Sequence, residues 1–506
     1  MRYRVWSCLI ILLLACFLLS CSRPQQPSQP LTAPRLTNNP SWDVIVTNDH
    51  PLFSFFNASG GAGKRVYSIE IDTAKDFDSP DLIRYDGVPE GNAYVTSRLA
   101  STGLLHDAQR AALKDKSRYY WRVRACDESG NEGPWAMSRF FVDTASDDAF
   151  MGLIRVPVEE VRVSSGFNAK NIVDLDDPGQ ATFWQSTPPG SDTQWVSFDL
   201  GKRWTVSRLW MLSAIDGSDG WLTDFVWQRS EDGKGWVDIP GTSVNGNDTF
   251  RNILGFDAVS TRYLRLLIRK WHGYAAQINA VAIYSPGTPP VPEAPGGKYV
   301  LLVGDQQNGY TFTELAEFVE GAGLGLKTLT VPHYEVSLRM IEGLKNKPVA
   351  IILSGNNVSY ENIPMFEFNG VYEIIRSSDI PILGICCGHQ QLAMAYGYTF
   401  AHSMGWEDIS AMEAPRARTE ITIRKDDPIF RGVPDPFRAA EIHGWAVANL
   451  ADKYDLLADS SYVQAIKSKD RMIYGEQFHG EIKVPDNQGT PYLVNFLKMS
   501  LERPEK

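Results

Sequence analysis

The sequence of 506 residues has little cysteine and no excess of positive charge, and both shortages narrow its class. Six cysteines in so long a chain do not form the disulfide framework of a small secreted scaffold. The 60 acidic residues outnumber the 49 lysines and arginines, so the net charge of −11 gives no basic surface for nucleic acid. The sequence also shows no internal repeat, metal-ligand cluster or phosphate loop, and we expect neither a metal nor another cofactor.

Long apolar runs are also missing, except for one near the amino terminus. The cationic segment 1–4 precedes an apolar run over residues 5–19, which is too short and too soon followed by polar sequence to be a good membrane span. This run is followed by Ser20 and Cys21, and Leu-Leu-Ser-Cys has the form of a bacterial lipobox. Residues 1–20 therefore resemble a lipoprotein signal peptide, with Cys21 as the lipid-modified first residue of the mature chain.

A second lipobox-like segment ends at Cys16, which is the alternative lipidation site. Phe17 and two leucines follow Cys16, whereas Cys21 begins a polar tether over residues 21–35, and this favours Cys21. The resemblance predicts a lipid-anchored membrane protein of the cell envelope, facing the periplasm or the cell surface. An ordinary cleaved secretory signal is the alternative, and it would also export the protein.

A chain of this length is too long for one hydrophobic core and predicts about three or four domains. The first, at residues 36–145, alternates apolar and polar residues over 67–72 and 118–125, as half-buried strands do. It resembles a fibronectin type III sandwich, whose late strands read Y-x-W-R-V-R-A before a tryptophan, here Trp135. We expect its aromatic residues to form a core and the domain to act as a spacer.

A second β-rich domain is expected at residues 156–284. Its runs 194–201, 261–266 and 278–284 resemble a discoidin-like (coagulation factor 5/8 type C) domain, the jelly roll of many family 32 carbohydrate-binding modules. The resemblance implies a glycan-binding role through variable loops. Aromatic loop residues are candidates for stacking on a sugar ring, and packing at the loop base is the alternative for each of them: Trp221, Trp271, His272 and Tyr274.

A proline-rich linker at residues 285–297 precedes a segment with α/β periodicity. A helix is expected over residues 313–321, and buried apolar strands are expected at 299–303, 326–331, 349–353 and 382–385. This alternation predicts a parallel sheet wrapped by helices. Open sheets of this kind place catalytic groups at the carboxyl ends of their strands.

The stretch 381–391, Pro-Ile-Leu-Gly-Ile-Cys-Cys-Gly-His-Gln-Gln, carries the main chemical signal. It reads as a buried strand, a glycine-flanked turn and a helix from His389 to about Tyr396, which is a nucleophile elbow with Cys386 as the nucleophile. The helix directs its first N–H groups at the thiol, and such a position stabilises a thiolate. A packed core thiol is the alternative reading of Cys386 alone.

A base for this thiol is expected in the stretch 474–481, Tyr-Gly-Glu-Gln-Phe-His-Gly-Glu. His479 and Glu481 are two residues apart, so they share one face of an extended segment. His479 would accept the thiol proton and later protonate the departing amine, while Glu481 would orient the imidazole.

Both motifs resemble the class I glutamine amidotransferase family, in which they usually read G-I-C-x-G-H-Q and Q-F-H-P-E. The resemblance extends over residues 298–501 and includes the segments 350–357 and 441–447. It implies three sets of site residues: a triad of Cys386, His479 and Glu481; oxyanion-hole N–H groups of Cys387 and of Gly355 or Asn356; and substrate contacts from Gln390 and His443.

Three features depart from the family pattern. Asn356 stands where the oxyanion loop usually has glycine, and Gly480 stands where proline usually separates the histidine and the glutamate. Gly480 predicts a looser segment around these two residues. Residues 404–408, where the family contacts the amino-acid head group, have no residue-by-residue match, so the resemblance supports the triad more firmly than glutamine as substrate.

The combined prediction is a multidomain lipoprotein with two all-β sandwiches followed by an α/β amidotransferase-like domain. Its expected activity is hydrolysis of glutamine or a γ-glutamyl-type amide, with a glycan as a second ligand of the discoidin-like domain. No segment resembles a synthase, so an ammonia-accepting synthase would be a separate partner. The alternative is a catalytically idle glycan-binding scaffold at the cell surface.

Overall fold

The computed structural model describes most of the chain from residue 29 to residue 503. The described residues are 29–36, 44–46, 49, 51, 53–90, 99–101, 112–114, 117–142, 152–175, 183–187, 193–214, 219–247, 250–304, 310–356, 360, 363–396, 400–402, 418–447, 453–460 and 462–503. The predicted signal peptide and Cys21 lie outside them. In this part of the chain, no helix combines the length and the apolar character needed to cross a membrane.

The first domain is a β-sandwich, as its alternating pattern predicts. Its strands are β1 Arg35–Leu36, β2 Val44–Val46, β3 Ser54–Phe56, β4 Arg65–Asp72, β5 Ile83–Pro89, β6 Leu99–Ser101, β7 Ser117–Asp127 and β8 Ala136–Val142. One sheet has the order β1-β3-β6 and the other β2-β8-β7-β4-β5. Phe53 makes edge contacts with Trp121 and Phe140 at ring distances of 5.1 and 5.6 Å, so these aromatic residues form the core.

The second domain is a β-structure with two long central strands. Its strands are β9 Leu153–Arg155, β10 Glu160–Val163, β11 Trp184–Gln185, β12 Gln194–Leu212, β13 Leu222–Ser230, β14 Val237–Asp238, β15 Arg251–Trp271, β16 Gln277–Ile278 and β17 Ala280–Pro286, with a 3-10 helix at Ala169–Val173. The main sheet has the order β14-β13-β15-β12-β17-β9, and β10 pairs with β12. Trp184, Phe198 and Trp227 are fully buried in its core.

The third domain is α/β. Its strands are β18 Tyr299–Gly304, β19 Lys327–Pro332, β20 Ala350–Leu353, β21 Ile382–Ile385, β22 Phe400–His402, β23 Arg418–Ile423, β24 Phe437–Ala440, β25 Trp445–Val447, β26 Tyr454–Asp459, β27 Val463–Ser468 and β28 Ile473–Glu476. Its α-helices are α1 Tyr310–Gly321, α2 Leu338–Gly343, α3 Asn369–Ser377, α4 Cys387–Met394 and α5 Thr490–Glu502, with 3-10 helices at His333–Glu335, Met365–Phe368 and Pro428–Phe430.

The sheet of this domain has the order β19-β18-β20-β21-β28-β27-β26-β23-β24. The first five strands are parallel, as predicted, and the last four are antiparallel, which the sequence pattern does not predict. Every residue of β20 and β21 is buried, because apolar clusters cover both faces of the parallel part. The carboxyl ends of β20, β21 and β28 therefore meet along one edge of the sheet.

A buried ionic contact joins the second and third domains. Glu367 accepts hydrogen bonds from Arg155 at 3.0 and 2.5 Å and from the Tyr284 hydroxyl at 2.6 Å, and both donors belong to the second domain. His333 Nε2 lies 3.2 Å from the same carboxylate. Burial opposes ionisation of Glu367, but Arg155 and His333 outweigh it and lower its pKa to about 2. The domains thus meet through a charge whose hydrogen-bond partners come from both sides.

Candidate active site

Cys386 sits in a strained turn at the carboxyl end of β21. Its backbone has φ 52° and ψ −102°, a conformation that non-glycine residues adopt rarely and mainly where the surrounding structure imposes it. Glycine is required on both sides: a Cβ on Gly384 would collide with the Gly388 carbonyl, and one on Gly388 with the Leu353 carbonyl. The structure therefore has the backbone geometry of the predicted elbow.

Helix α4 begins at Cys387 and ends at Met394, two residues earlier at each end than predicted. It starts directly after the nucleophile because the Cys386 carbonyl already accepts the Gln390 N–H at 3.1 Å, the first bond of the helix. The positive end of the helix dipole is thus adjacent to the Cys386 thiol.

The structure brings the three predicted triad residues together. His479 Nδ1 lies 2.7 Å from Glu481 Oε1, and the His479 N–H is bonded to the Ala440 carbonyl at 2.8 Å. A Cβ built on Gly355 would lie 3.1 Å from His479 Cε1, 3.5 Å from Cys386 Cβ and 3.9 Å from His479 Nε2. The imidazole, the cysteine and the loop after β20 therefore converge on one point.

These side chains are almost completely enclosed: Cys386 is 3 %, His479 4 % and Glu481 7 % exposed. Burial alone would disfavour an imidazolium, but the charge of Glu481 and the interaction with Cys386 outweigh it and hold the pKa of His479 well above its usual range. The arrangement favours an imidazolium that can pair with a thiolate.

The segment around Gly480 is held firmly, so the prediction of a looser segment is wrong. Asn487 Nδ2 donates to the carbonyls of His479 at 2.8 Å and Ile482 at 2.9 Å. Thr490 Oγ1 donates to the Gly480 carbonyl at 2.9 Å. Side chains before and at the start of α5 thus replace the rigidity that a proline would supply.

The predicted oxyanion-hole residues lie around the nucleophile. Gly355 and Asn356 follow β20, and Cys387 provides the first residue of α4. The Gly388 N–H donates to the Ser354 carbonyl at 3.1 Å, which ties the elbow to the start of this loop. The oxyanion role of Cys387, Gly355 and Asn356 stays a prediction.

Gln390 and His443, the predicted substrate contacts, both engage protein groups. Gln390 Nε2 donates to the Trp445 carbonyl at 2.6 Å and to Gln477 at 3.2 Å, while its Oε1 accepts the Tyr360 hydroxyl at 2.8 Å. His443 Nδ1 lies 3.0 Å from the Trp445 carbonyl. Their role toward substrate stays a prediction, and residues 404–408 lie outside the described part of the chain.

The two adjacent cysteines occupy different surroundings. Cys387 Sγ lies 2.9 Å from the Tyr360 hydroxyl and 3.5 Å from Gln391 Nε2, in a small cluster that includes Trp445. Cys386 belongs to the cluster on the other side of the turn, and both thiols are free. The elbow thus directs one thiol to the triad and leaves the other in a structural contact.

Glu476 has no role predicted from the sequence, although it ends β28 beside the triad. Its backbone carbonyl accepts the Cys386 N–H at 2.8 Å, and its side chain is fully buried. A carboxyl group inside a buried apolar strand is an unusual pattern, and that pattern was the available signal.

The second domain carries an aromatic surface on the loops before β13 and after β15, formed by Trp221, His272 and Tyr274, which we term the loop cluster. Trp221 stacks on His272 at a ring distance of 3.8 Å, and Tyr274 is 76 % exposed. The loops are joined by the bond from the His272 N–H to the Trp221 carbonyl at 2.9 Å. Trp271 packs against the domain core, which is the alternative stated for it above.

Comparison with known families gives three matches in order along the chain. Residues 36–144 match the Rha78A-like, N-terminal immunoglobulin domain, residues 157–282 the F5/8 type C domain, and residues 313–499 glutamine amidotransferase class-I. The first match identifies the amino-terminal sandwich as immunoglobulin-like, and it does not extend to the fibronectin type III resemblance.

Curated relatives match the third domain. The glutamine-hydrolyzing GMP synthase subunit of Methanococcus aeolicus is 32 % identical over 189 residues, which cover 36 % of this chain and 92 % of the relative. The corresponding protein of Methanothermobacter thermautotrophicus is 37 % identical over 145 residues, covering 28 % of this chain and 69 % of the relative. Among solved structures, the family 32 CBM of Clostridium perfringens NanJ in complex with galactose is 17 % identical with a TM-score of 0.23, covering 26 % of this chain and 99 % of that one.

Proposed function

The chain belongs to the class I glutamine amidotransferase family through its carboxy-terminal domain, and on this premise we propose that the domain hydrolyses glutamine or a γ-glutamyl-type amide. The observation that carries the proposal is the convergence of Cys386, His479 and Glu481 at the carboxyl ends of neighbouring strands. The enclosed site, with a strained elbow and an imidazole oriented at 2.7 Å by a carboxylate, suits acyl transfer through a thioester.

In the first half of the proposed reaction, the Cys386 thiolate attacks the carboxamide carbon. The carbonyl oxygen gains the negative charge, which the N–H groups of Cys387 and the Gly355–Asn356 loop stabilise. The imidazolium of His479 gives its proton to the nitrogen, the carbon–nitrogen bond breaks, and ammonia or an amine leaves. Cys386 then carries the γ-carbonyl as a thioester.

In the second half, His479 is neutral and serves as the base. It takes a proton from water, whose oxygen attacks the thioester carbon, and the carbon–sulfur bond breaks to release the acid and regenerate the thiolate. Glu481 keeps the imidazole in one orientation through Nδ1 and stabilises each imidazolium state.

Covalent trapping tests this proposal. After incubation with a glutamine-mimicking electrophile, mass spectrometry should find the label on Cys386, and ammonia release from glutamine or a γ-glutamyl amide should stop in proportion. A folded protein that takes no label at Cys386 would instead be the idle scaffold considered above.

The GMP synthase relatives, whose names describe them as glutamine-hydrolyzing, support a further proposal, that the released ammonia serves a separate synthase. An ammonia acceptor would then be a partner protein rather than a site on the two β domains. Ammonia release that rises when a candidate synthase is added would support this partnership.

For the F5/8 type C domain we propose glycan binding through the loop cluster. A stacked, partly exposed Trp221 and an exposed Tyr274 offer ring faces to the apolar face of a sugar, and His272 with Asp219, 3.2 Å apart, offers polar partners for its hydroxyls. Glu367 joins this domain to the enzyme domain, so a bound glycan would hold the active site near its polymer.

Trp221→Ala should weaken binding of the full-length protein to an envelope polysaccharide by about tenfold, since an aromatic stacking contact contributes on the order of 1 kcal/mol. The measurement is affinity gel electrophoresis or calorimetry with that polysaccharide. Trp236→Ala is the matched control, because Trp236 lies beyond the opposite end of β13 and packs on Arg265 at 4.4 Å. Equal loss in both variants, or no binding by the wild type, would contradict the loop-cluster site.

We also propose that Cys21 anchors the protein in the envelope membrane. Cys21→Ser should move the protein from the membrane fraction to the soluble or secreted fraction, because one lipid-modified residue supplies the whole attachment. Cys16→Ser should leave it in the membrane fraction. The reverse pattern would make Cys16 the lipidation site.

A further inference from the structure

Glu476 is a buried acid that the triad mechanism does not use. It ends β28 and pairs in register with Ile385 of β21, the residue before the nucleophile. Its side chain is 0 % exposed. Removing a carboxylate from water is costly unless it is paired, so this position requires an explanation.

The carboxyl of Glu476 lies against Gly480, the residue between His479 and Glu481. A Cβ on Gly480 would be only 3.4 and 3.5 Å from its two oxygens. A proline at position 480 would therefore crowd the carboxyl and would also remove the N–H that faces it. Gly480 and Glu476 thus fit each other spatially, and the glycine makes room for the acid.

Two acceptors beside the triad have no hydrogen-bond partner among the described residues. They are the carboxyl of Glu476, at both oxygens, and Oε2 of Glu481, whose Oε1 holds His479. Two buried carboxylates side by side would repel each other, whereas one proton placed between them satisfies both groups.

We propose that Glu476 is a positioning residue that acts through Glu481: as a carboxylic acid it donates its proton to Glu481 Oε2, so the two groups hold one proton and one negative charge behind His479. The proposal rests on the proposed function in that it concerns the same triad. It adds a fourth side chain whose protonation sets how strongly Glu481 attracts the imidazole.

The surroundings of Glu476 agree with a neutral acid. Burial, and next the charge of Glu481, raise the pKa of Glu476 well above its usual range, against the opposing influence of His479 and the Gly480 N–H. From α5, the Tyr492 hydroxyl faces the same region, donating to the Gly475 carbonyl at 3.3 Å, with Tyr474 and Asp427 beyond it. Within the described part of the chain, His479 is the one cationic group that acts on Glu476.

The shared proton has a defined consequence for the nucleophile. While Glu476 is protonated, the negative charge of Glu481 is partly offset, so His479 is held as an imidazolium less strongly than by a bare carboxylate. When Glu476 ionises at high pH, a second negative charge appears behind the imidazole and strengthens the thiolate–imidazolium pair. The acid therefore tunes the pH range over which Cys386 is reactive.

The test measures alkylation of Cys386 by iodoacetamide as a function of pH, with each cysteine peptide quantified by mass spectrometry. It needs no substrate, so it stays informative if the proposed amide hydrolysis is wrong. Two variants separate the roles: Glu476→Gln keeps a neutral donor toward Glu481, and Glu476→Leu keeps the volume without a donor. Cys387 and Cys126 serve as internal controls for general accessibility.

Two opposite results are expected. On the acid side, Glu476→Gln should follow the wild type, whereas Glu476→Leu should shift thiolate formation to lower pH by about half a unit or more, because Glu481 then acts undiluted on His479. On the alkaline side, the wild type should show a second ionisation that both variants lack. A single curve shared by all three proteins would overturn the proposal and leave Glu476 as a space-filling residue.

Stability gives a second readout that does not depend on Cys386. Because the folded pKa of Glu476 lies above its ordinary value of 4.5, the folded state binds one more proton between these two values. Its contribution to stability is therefore complete below pH 4.5 and declines as pH rises toward the folded pKa. The melting temperature of Glu476→Gln relative to wild type should rise over that window, and a constant difference would mean that Glu476 carries no buried proton.

Discussion

Cys386→Ala should abolish amide hydrolysis, with a loss on the order of 10⁴-fold or more, because no other group at the elbow can form the thioester. Cys387→Ala should retain activity within about tenfold of wild type, because the proposed mechanism needs only its backbone N–H. The measurement is ammonia release from glutamine or a γ-glutamyl amide by purified protein.

The adjacent cysteines form a matched pair for this comparison. Cys387→Ala removes the contact of its thiol with the Tyr360 hydroxyl, 2.9 Å away, so we expect a modest loss of stability of about 1 kcal/mol. Cys386→Ala removes a side chain whose thiol lies 3.6 Å from the Ile442 carbonyl and should stay folded. If Cys387→Ala were inactive and Cys386→Ala active, the register of the elbow would be wrong by one residue.

His479→Ala should lower the rate of hydrolysis by about 10³-fold or more, because it removes the group that moves the proton in both halves of the reaction. Glu481→Gln should cost less, on the order of 10²-fold, because it disturbs the orientation of the imidazole without removing it. Both follow from the buried bond of 2.7 Å between His479 Nδ1 and Glu481 Oε1.

A second substitution separates chemistry from folding. His479→Gln keeps an amide donor for Glu481 but supplies no base, so it should be as inactive as His479→Ala while melting closer to wild type. Thermal unfolding followed by circular dichroism provides this comparison. Wild-type rates in either His479 variant would remove His479 from the mechanism, whatever the fate of the fold.

Much of the architecture follows from local patterns. The alternation in β7, where Tyr119, Trp121 and Val123 are buried, predicts a half-exposed strand because side chains of a strand point to opposite faces. The continuous apolar runs of β20 and β21 predict strands covered on both sides. The antiparallel strands β23–β27 escaped prediction, because short half-buried segments with irregular loops lack a clear period.

The candidate site divides in the same way. The motifs around Cys386 and His479 are contiguous in sequence, and a sharp turn needs glycine on both sides whatever the rest of the fold does. The roles of Gln390 and His443 depend on what lies across from them. Gln390 meets Trp445 and Tyr360, residues far away in the chain, and no local pattern predicts those hydrogen bonds.

Sequence by itself determined the order of domains, the elbow and the histidine–glutamate pair, because each depends on spacing within a few residues. Tertiary structure decided what those residues face. It placed Gly355 against both Cys386 and His479, tied Gly480 down through Asn487 and Thr490, and set Glu476 beside Gly480. These contacts join β20, β21, β28 and α5, and only the folding of the sheet brings them within van der Waals distance.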